Sequence, residues 1–406
     1  MRVFANLFLI LFLADGGFSL VDELVTLLTP LMPFSALRNF LAGVVILMSV
    51  PVYLCLGIDR RLPKRVFVPL ILFVLWSLIS TWLVPALADL RVYGLLISAV
   101  QVALGMLPLY YFRKGGVPCL TMPEEMFAAP FFSLKNTLVF SSANLLVVPL
   151  VLLLFVLTLA DAYMVEHTAG FMHLAPTGLK MTERIYKRAD NRTIRLAAMI
   201  HVGNKGYYEE LAQSVATGKI IVLAEGVTDD KHLLQNSIDY GKVAGFLGLT
   251  SQDKMLFRGR LIDEKELLTP GGLVTGNPAG EADILRADVD VSGFRPATLS
   301  FLNAIGKHLQ GTPSVVTGVL TLNRWAEKNI TPEMYAIIMD DILHRRNLVL
   351  ISHLEKALVR YDTVVIPWGA LHMKEIEAEV LRRGFVLQEQ RERFSIDFPK
   401  MLMSRQ

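Results

Sequence analysis

The chain has 406 residues, a formal net charge of +3, two cysteines and 53% hydrophobic residues, and its mean hydropathy of +0.46 is too high for an ordinary water-soluble enzyme of this length. Residues 1–163 hold 18 charged side chains (10 basic, 8 acidic) and residues 164–406 hold 59 (30 basic, 29 acidic), which predicts a membrane domain over 1–163 and a water-soluble domain over 164–406. Neither part carries the excess of basic residues that a nucleic-acid partner requires, and Cys55 and Cys119 both fall in the first part, so the second has no disulfide, Cys-rich zinc site or thiol nucleophile.

Residues 3–28 are apolar but are interrupted by ADGG and carry Asp15, Asp22 and Glu23. They read as a span, a re-entrant segment or an interfacial helix. A cleaved signal peptide is the other reading of MRVFANLFLILFLA; the single basic Arg2 and the lack of a clear small-x-small cleavage site stand against it. Runs at 37–56, 66–87, 92–112 and 142–163 each reach the roughly 20 apolar residues that cross a bilayer. The expectation is an N-terminal α-helical transmembrane bundle of four or five spans, with the lipid bilayer as its first partner.

Short loops set the orientation, because Lys and Arg mark the cytoplasmic side. DRRLPKR (59–65) holds four basic residues and ALADLR (86–91) one balanced pair, so the first lies inside. Arg113 and Lys114 place the following loop inside as well, and the last span carries the chain out. The second domain is therefore expected to be extracytoplasmic, in an inner or plasma membrane. The basic cluster KMTERIYKR argues the other way, but it begins well beyond the last span, where charge steers topology weakly.

In the second domain, residues 164–182 read as a Pro/Gly/His-containing tether. ERIYKRADNRTIRLAAMIH reads as a hairpin, with a strand to 188, a turn at Ala189, Asp190 and Asn191, and a strand through His201. NKGYYEELAQSVATG has Tyr208, Leu211 and Val215 at helical spacing and a stop at Gly218. KIIVLAEGV is a continuous apolar strand ending at Glu225. TVVIPWGALHMKEIEAEVLRRGF repeats the plan: strand 363–368, Gly369, His372, helix 373–383, a stop at Gly384, then a strand over 385–390. Strands alternating with helices predict an α/β domain with a central sheet.

Ligands of open α/β sheets sit at the carboxyl ends of the strands, where His201, Glu225 and His372 are expected. Two imidazoles and a carboxylate could bind a divalent cation and leave positions for water. The plainer reading is a pair of capping or hydrogen-bonding histidines, a solvent-facing glutamate and a glycine that eases a turn. TPGGLVTGNPAGEAD (269–283) lacks the lysine and the strand-helix frame of a phosphate loop and reads as a loop that could cover a substrate. His167, His173 and His232 have no partners at ligand spacing, His344 and His353 sit nine apart on a predicted helix, and no Gly-x-Ser-x-Gly elbow is present.

Gly369-Ala370-Leu371-His372, the following EIEAEVLRRGF, and Glu225 in IVLAEGVTDD resemble the TraB/PrgY/GumN family, which includes the Tiki membrane-bound metalloproteases. The resemblance runs from about residue 183 to 397. The family has two separated Gly-x-x-His motifs with a glutamate on the strand after the first; here the first reads Ala198-Met199-Ile200-His201, with alanine for glycine. RADVDVS and LHRRNLVLISHL are similar to its acidic and Arg-Asn stretches, which points to Asp288, Asp290, Arg346 and Asn347.

The resemblance implies a Tiki/TraB-like fold and a membrane-anchored, metal-dependent hydrolase, most plausibly a peptidase, acting on a peptide or protein at the outer face of the membrane. His201, His372 and Glu225 would hold a divalent cation such as manganese, cobalt or zinc. Glu225 would be a third ligand or the base that takes the proton of a water, and Arg346 would hold a carboxylate or oxyanion unless it serves as a structural ion pair with Glu225 or Asp290. Asp288, Asp290, Asn347 and Gly369 would support the site. Other branches of the family imply the alternative, a non-catalytic protein that binds or sequesters a secreted peptide or partner. The oligomeric state is left open.

Overall fold

The computed structural model describes every residue except 30–32, 89, 91, 216–218, 236–239, 253, 254, 256, 269–281, 313 and 404–406. Its contacts divide the chain into two units, Met1–Thr158 and Leu159–Gln406. The predicted stop at Gly218 and nearly all of the glycine-rich loop lie outside the described residues.

The first unit contains helices α1 (Arg2–Leu28), α2 (Ser35–Ile58), α3 (Lys64–Leu83), α4 (Tyr93–Tyr111) and all but the last ten residues of α5 (Leu134–Thr168), and each of these helices is long and apolar enough to cross a membrane. The ADGG interruption does not break α1, which runs unbroken for 27 residues. Its glycine serves close packing: a Cβ on Gly16 would stand 2.9 Å from Gln101 Cγ, and one on Gly105 2.9 Å from Leu13 Cδ1. Small residues let two membrane helices approach in this way. Phe8, Phe12, Phe67, Leu56 and Leu70 fill the core of this unit.

The second unit is a mixed α/β domain around an eight-stranded sheet. Its strands are β1 (Met172–Ala175), β2 (Gly178–Lys187), β3 (Thr193–Met199), β4 (Ile220–Ala224), β5 (Gly259–Ile262), β6 (Ala282–Arg286), β7 (Thr363–Gly369) and β8 (Val386–Asp397). They lie in the order β8-β2-β3-β7-β4-β6-β5, with β1 paired to β2. β3, β7, β4, β6 and β5 are mutually parallel, while β1, β2 and β8 pair antiparallel.

The expected tether is a correction: α5 runs to Thr168, and Ala169 and Gly170 then take positive φ values of 51° and 75°, ending the helix and turning the chain into β1. Phe171 is buried there, which a free tether would not allow. The predicted hairpin is present as β2 and β3, with Asn191 at φ 66° in its turn. The final strand runs to Asp397, further than its apolar start suggested, because its exposed, charged residues pair along β2.

Helices α6 (Lys205–Gln213), α7 (Arg346–Arg360) and α8 (Ala370–Arg382) pack on the sheet. Leu350, Leu354 and Ala357 on α7, and Met373, Ile376 and Val380 on α8, form apolar stripes at helical spacing in the same core as Trp368 and Ile366. Ala198 belongs to that core and is 1% exposed, so its methyl group is a packing element of β3.

Candidate functional site

The parallel strands bring the ends of β3, β7, β4 and β6 to one edge of the sheet, and the chain places His201, His372, Glu225 and Asp288 just beyond those ends. β7 pairs with β3 as far as Gly369↔Met199 but with β4 only to Val365↔Val222. Pro367, which has no N–H to donate, falls in the part that β4 does not pair. Glu225 closes this divergence, where Oε2 accepts the Gly369 N–H at 2.7 Å. Trp368 adds a bond from its indole Nε1 to the Leu223 carbonyl at 3.0 Å.

His372 lies in the first turn of α8 and not ahead of the helix, because Gly369 is the N-cap and helical geometry starts at Ala370. Arg346 and Asn347 open α7 directly after a π-helical segment, Asp340–Arg345. That segment is pinned by buried Asp341, which accepts bonds from Thr298, Arg295 and Arg345. A π turn shifts the facing of the residues that follow it. Arg346 and Asn347 are both buried here.

Arg346 sits at the centre of the cluster. Its Nε and Nη2 donate to Asp288 at 2.9 and 2.7 Å, Nη2 also donates to Glu225 Oε1 at 2.8 Å, and Nη1 donates to the Ile342 carbonyl at 3.4 Å and to His372 Nε2 at 3.3 Å. Each of its N–H positions thus has an acceptor. Burial works against the guanidinium charge, but Asp288 and Glu225 outweigh it and leave the pKa raised.

Asp288 is also saturated, since it further accepts the Gly226 and Val289 N–H groups at 2.9 and 2.8 Å. Glu225 is not. Among the described residues it accepts only from Arg346 and Gly369, leaving about half of a carboxylate's acceptor capacity unused. A Cβ on Gly369 would meet this carboxylate and His372 in ordinary contact, 3.5 Å from His372 Cδ2 and 3.6 Å from Glu225 Oε2.

His372 is oriented from behind. Its Nδ1–H donates to Asn347 Oδ1 at 2.7 Å, and Asn347 Nδ2 donates to Glu375 at 2.6 Å. Nε2 is then the acceptor nitrogen, 3.7 Å from Glu225 Oε1. Burial, with a smaller contribution from Arg346 against the opposing pull of Glu225, pushes the His372 pKa down to about 4. The ring is therefore neutral near pH 7.

This shift has a stability consequence with a definite sign. An unfolded histidine titrates near 6.5, so between pH 6.5 and about 4 the unfolded chain binds a proton that the folded one refuses. The contribution is complete above 6.5 and lost as pH falls towards 4, a change on the order of 3 kcal/mol. Denaturation midpoints of the full-length protein across that window should fall with pH, and His372→Gln should flatten the slope by about one proton. An unchanged slope would count against a neutral buried His372.

His201 stands at the rim. It is exposed, its Nδ1 pairs with Gln252 Oε1 at 2.9 Å, and its ring stacks on Tyr240 at 4.5 Å. The Tyr240 hydroxyl, whose pKa is raised by burial and then by Glu225, lies within the electrostatic reach of the cluster. Asp290 is not in the cluster: it ties the loop after β4 by accepting from Thr228 Oγ1, the Asp230 N–H and the Ser292 N–H.

The donor set only partly suits a divalent cation. His372 has a ligand's features, a neutral ring with Nδ1–H tied back and Nε2 near a carboxylate oxygen. Arg346, however, already donates to both Nε2 and Oε1. Among the described residues no group of three or more His, Cys, Asp or Glu side chains is arranged to hold a metal ion. As arranged, these residues do not fit a cation.

Sequence reading missed Glu375, Trp368 and Tyr240. Glu375 stands three residues after His372 on one helix, a spacing that marks neighbours on the same face. Trp368 packs edge-on to His372 at 5.0 Å, with the Arg346 guanidinium 5.3 Å over its ring. Nothing in the local pattern points to Tyr240. Comparison with family models, curated proteins and solved structures finds no match to this chain, so the resemblance to the TraB/PrgY/GumN family rests on its motifs.

Proposed function

We propose that the second unit is a membrane-anchored hydrolase domain, peptidase-like, facing the extracytoplasmic side, with Glu225 as the base. The observation that carries this reading is the contrast in hydrogen-bond capacity among the described residues: Arg346 and Asp288 are fully engaged, while Glu225 accepts only two bonds, beside a neutral imidazole at the strand ends. Open acceptor sites on a carboxylate beside a neutral imidazole are what a general base needs to receive the proton of a water.

In this reading Glu225 takes the proton of a water as that water adds to a peptide carbonyl carbon, and returns it to the amine nitrogen that leaves as the C–N bond breaks. Arg346 holds Glu225 in place and Asp288 holds Arg346. His372, fixed by Asn347, offers Nε2 to the same space, and His201 and Tyr240 form the rim that a substrate would meet. Two carboxylates against one guanidinium leave a negative charge unmatched, which also suits the cationic end of a peptide. That feature favours the second reading, a non-catalytic protein that binds a secreted peptide. Peptide hydrolysis by the full-length protein, and its loss in Glu225→Gln, tests the first against the second.

Orientation has its own test. In a background of Cys55→Ser and Cys119→Ser, Ala189→Cys should react with a membrane-impermeant maleimide on intact cells, and Arg60→Cys only after permeabilisation. The four-to-one basic asymmetry between the loops at 59–65 and 86–91 motivates it. Labelling at position 60 alone would put the domain in the cytoplasm.

A further inference from the structure

The membrane unit holds a second buried polar site that the hydrolase reading does not use. Asp15 lies at the centre of the 27-residue helix α1, roughly 20 Å of helix from either end. It is 5% exposed. One of its oxygens, Oδ2, accepts from Gln101 Nε2 at 2.8 Å, and the same amide also donates to the Phe12 carbonyl at 3.2 Å. The other oxygen, Oδ1, is buried and has no hydrogen-bond partner among the described residues.

The neighbouring acids are handled differently. Glu23 pairs with Arg38 at 2.7 Å, and Asp22 has the same guanidinium at 3.8 Å and the Phe34 N–H at 3.1 Å. Arg38 is the one charged residue within α2, and α4, which packs closely on α1, has none. Its titratable groups are tyrosines, of which Tyr93 has a buried hydroxyl that also lacks a partner among the described residues. Asp15 thus faces a neutral amide and apolar helix surface, with the nearby cation already engaged. An ionised carboxylate in such a place costs several kcal/mol, and a group so placed takes up a proton instead.

We propose that Asp15 is an intramembrane proton-binding site, whose Oδ1 takes up a proton that reaches it as hydronium, leaving a bound proton and water, and whose Oδ2 is held by Gln101. The seam is close at this point, since a Cβ on Gly16 would stand 2.9 Å from Gln101 Cγ, and the Gln101 amide is held by both Asp15 and the Phe12 carbonyl. The ligand is the proton, and the site serves a membrane unit that does more than anchor the domain behind it.

The test uses the full-length protein in membranes. Dicyclohexylcarbodiimide, an apolar reagent that adds to un-ionised carboxyls, should modify Asp15 at neutral pH but not Asp22 or Glu23, and peptide mass spectrometry should find the adduct reduced at least tenfold in Asp15→Asn. The infrared difference between wild type and Asp15→Asn should carry the carbonyl stretch of a neutral carboxylic acid, and Gln101→Leu should shift that band. The band needs no reagent access and decides the matter where the two readouts differ. Absence of a neutral-acid band at neutral pH overturns the proposal, and so does a band that disappears on adding sodium, which would make the site one for a metal cation.

Discussion

Glu225→Gln is expected to lower peptide hydrolysis by a factor of about 10² or more, the usual scale for losing a general base. The amide keeps the shape but cannot take a proton. It also has one acceptor oxygen where the carboxylate has two, so its NH2 must face either the Arg346 or the Gly369 N–H that Glu225 now accepts. That mismatch costs about 1–3 kcal/mol, and the rate must be measured on protein shown to be folded. Dialysis against a chelator gives the companion result. With Arg346 donating to both Nε2 of His372 and Oε1 of Glu225, activity should survive removal of divalent ions. Loss of activity that manganese, cobalt or zinc restores would show that Arg346 gives way to a cation. Full activity in folded Glu225→Gln would leave the peptide-binding reading as the better account.

Much of this architecture was legible because it depends on short-range pattern. Four apolar runs gave four helices long and apolar enough to cross a membrane, and the Val/Ile runs ending at Ala224 and Gly369 gave two central strands. His372 and Glu225 could be placed together because parallel strands deliver their carboxyl ends to one edge. What stayed hidden depends on contacts between distant residues. Nothing near ADGG announces that Gly16 faces Gln101, 85 positions later in the chain. The tether became strand because β2 supplied a partner, and a two-residue positive-φ turn at Ala169 and Gly170 left no periodic signal. For Arg346 the sequence left two roles open, a hold on a carboxylate or oxyanion and an ion pair with Glu225 or Asp290; the pair is present, with Glu225 and Asp288 as its partners. Only the geometry separates a guanidinium that waits for a substrate from one already surrounded by acceptors.

That distinction predicts what removing Arg346 does. Arg346→Met keeps most of the side-chain volume but leaves Asp288, whose carboxylate is fully buried, and Glu225, 5% exposed, without their shared cation. Breaking a buried ion pair from one side costs about 3–5 kcal/mol, because the remaining charge has no compensation. Denaturation of the full-length protein should register a loss of that size. The His372 pKa should also rise from its depressed value, since Arg346 stops opposing its protonation while Glu225 continues to favour it. The histidine proton resonance, titrated by NMR, reads this directly. Arg346→Met combined with Asp288→Asn should recover much of the lost stability, as the second substitution removes one stranded charge while the amide oxygen it introduces can still accept one of the two backbone N–H bonds now made by Gly226 and Val289. It should recover no activity if Arg346 is needed to hold Glu225 in place. A stable, fully active double variant would show that the whole Arg346–Asp288 pair is scaffolding and that Glu225 needs neither. A single variant as stable as wild type would mean that the guanidinium contributes far less than its contacts imply, and the site would then be open to a cation in its place.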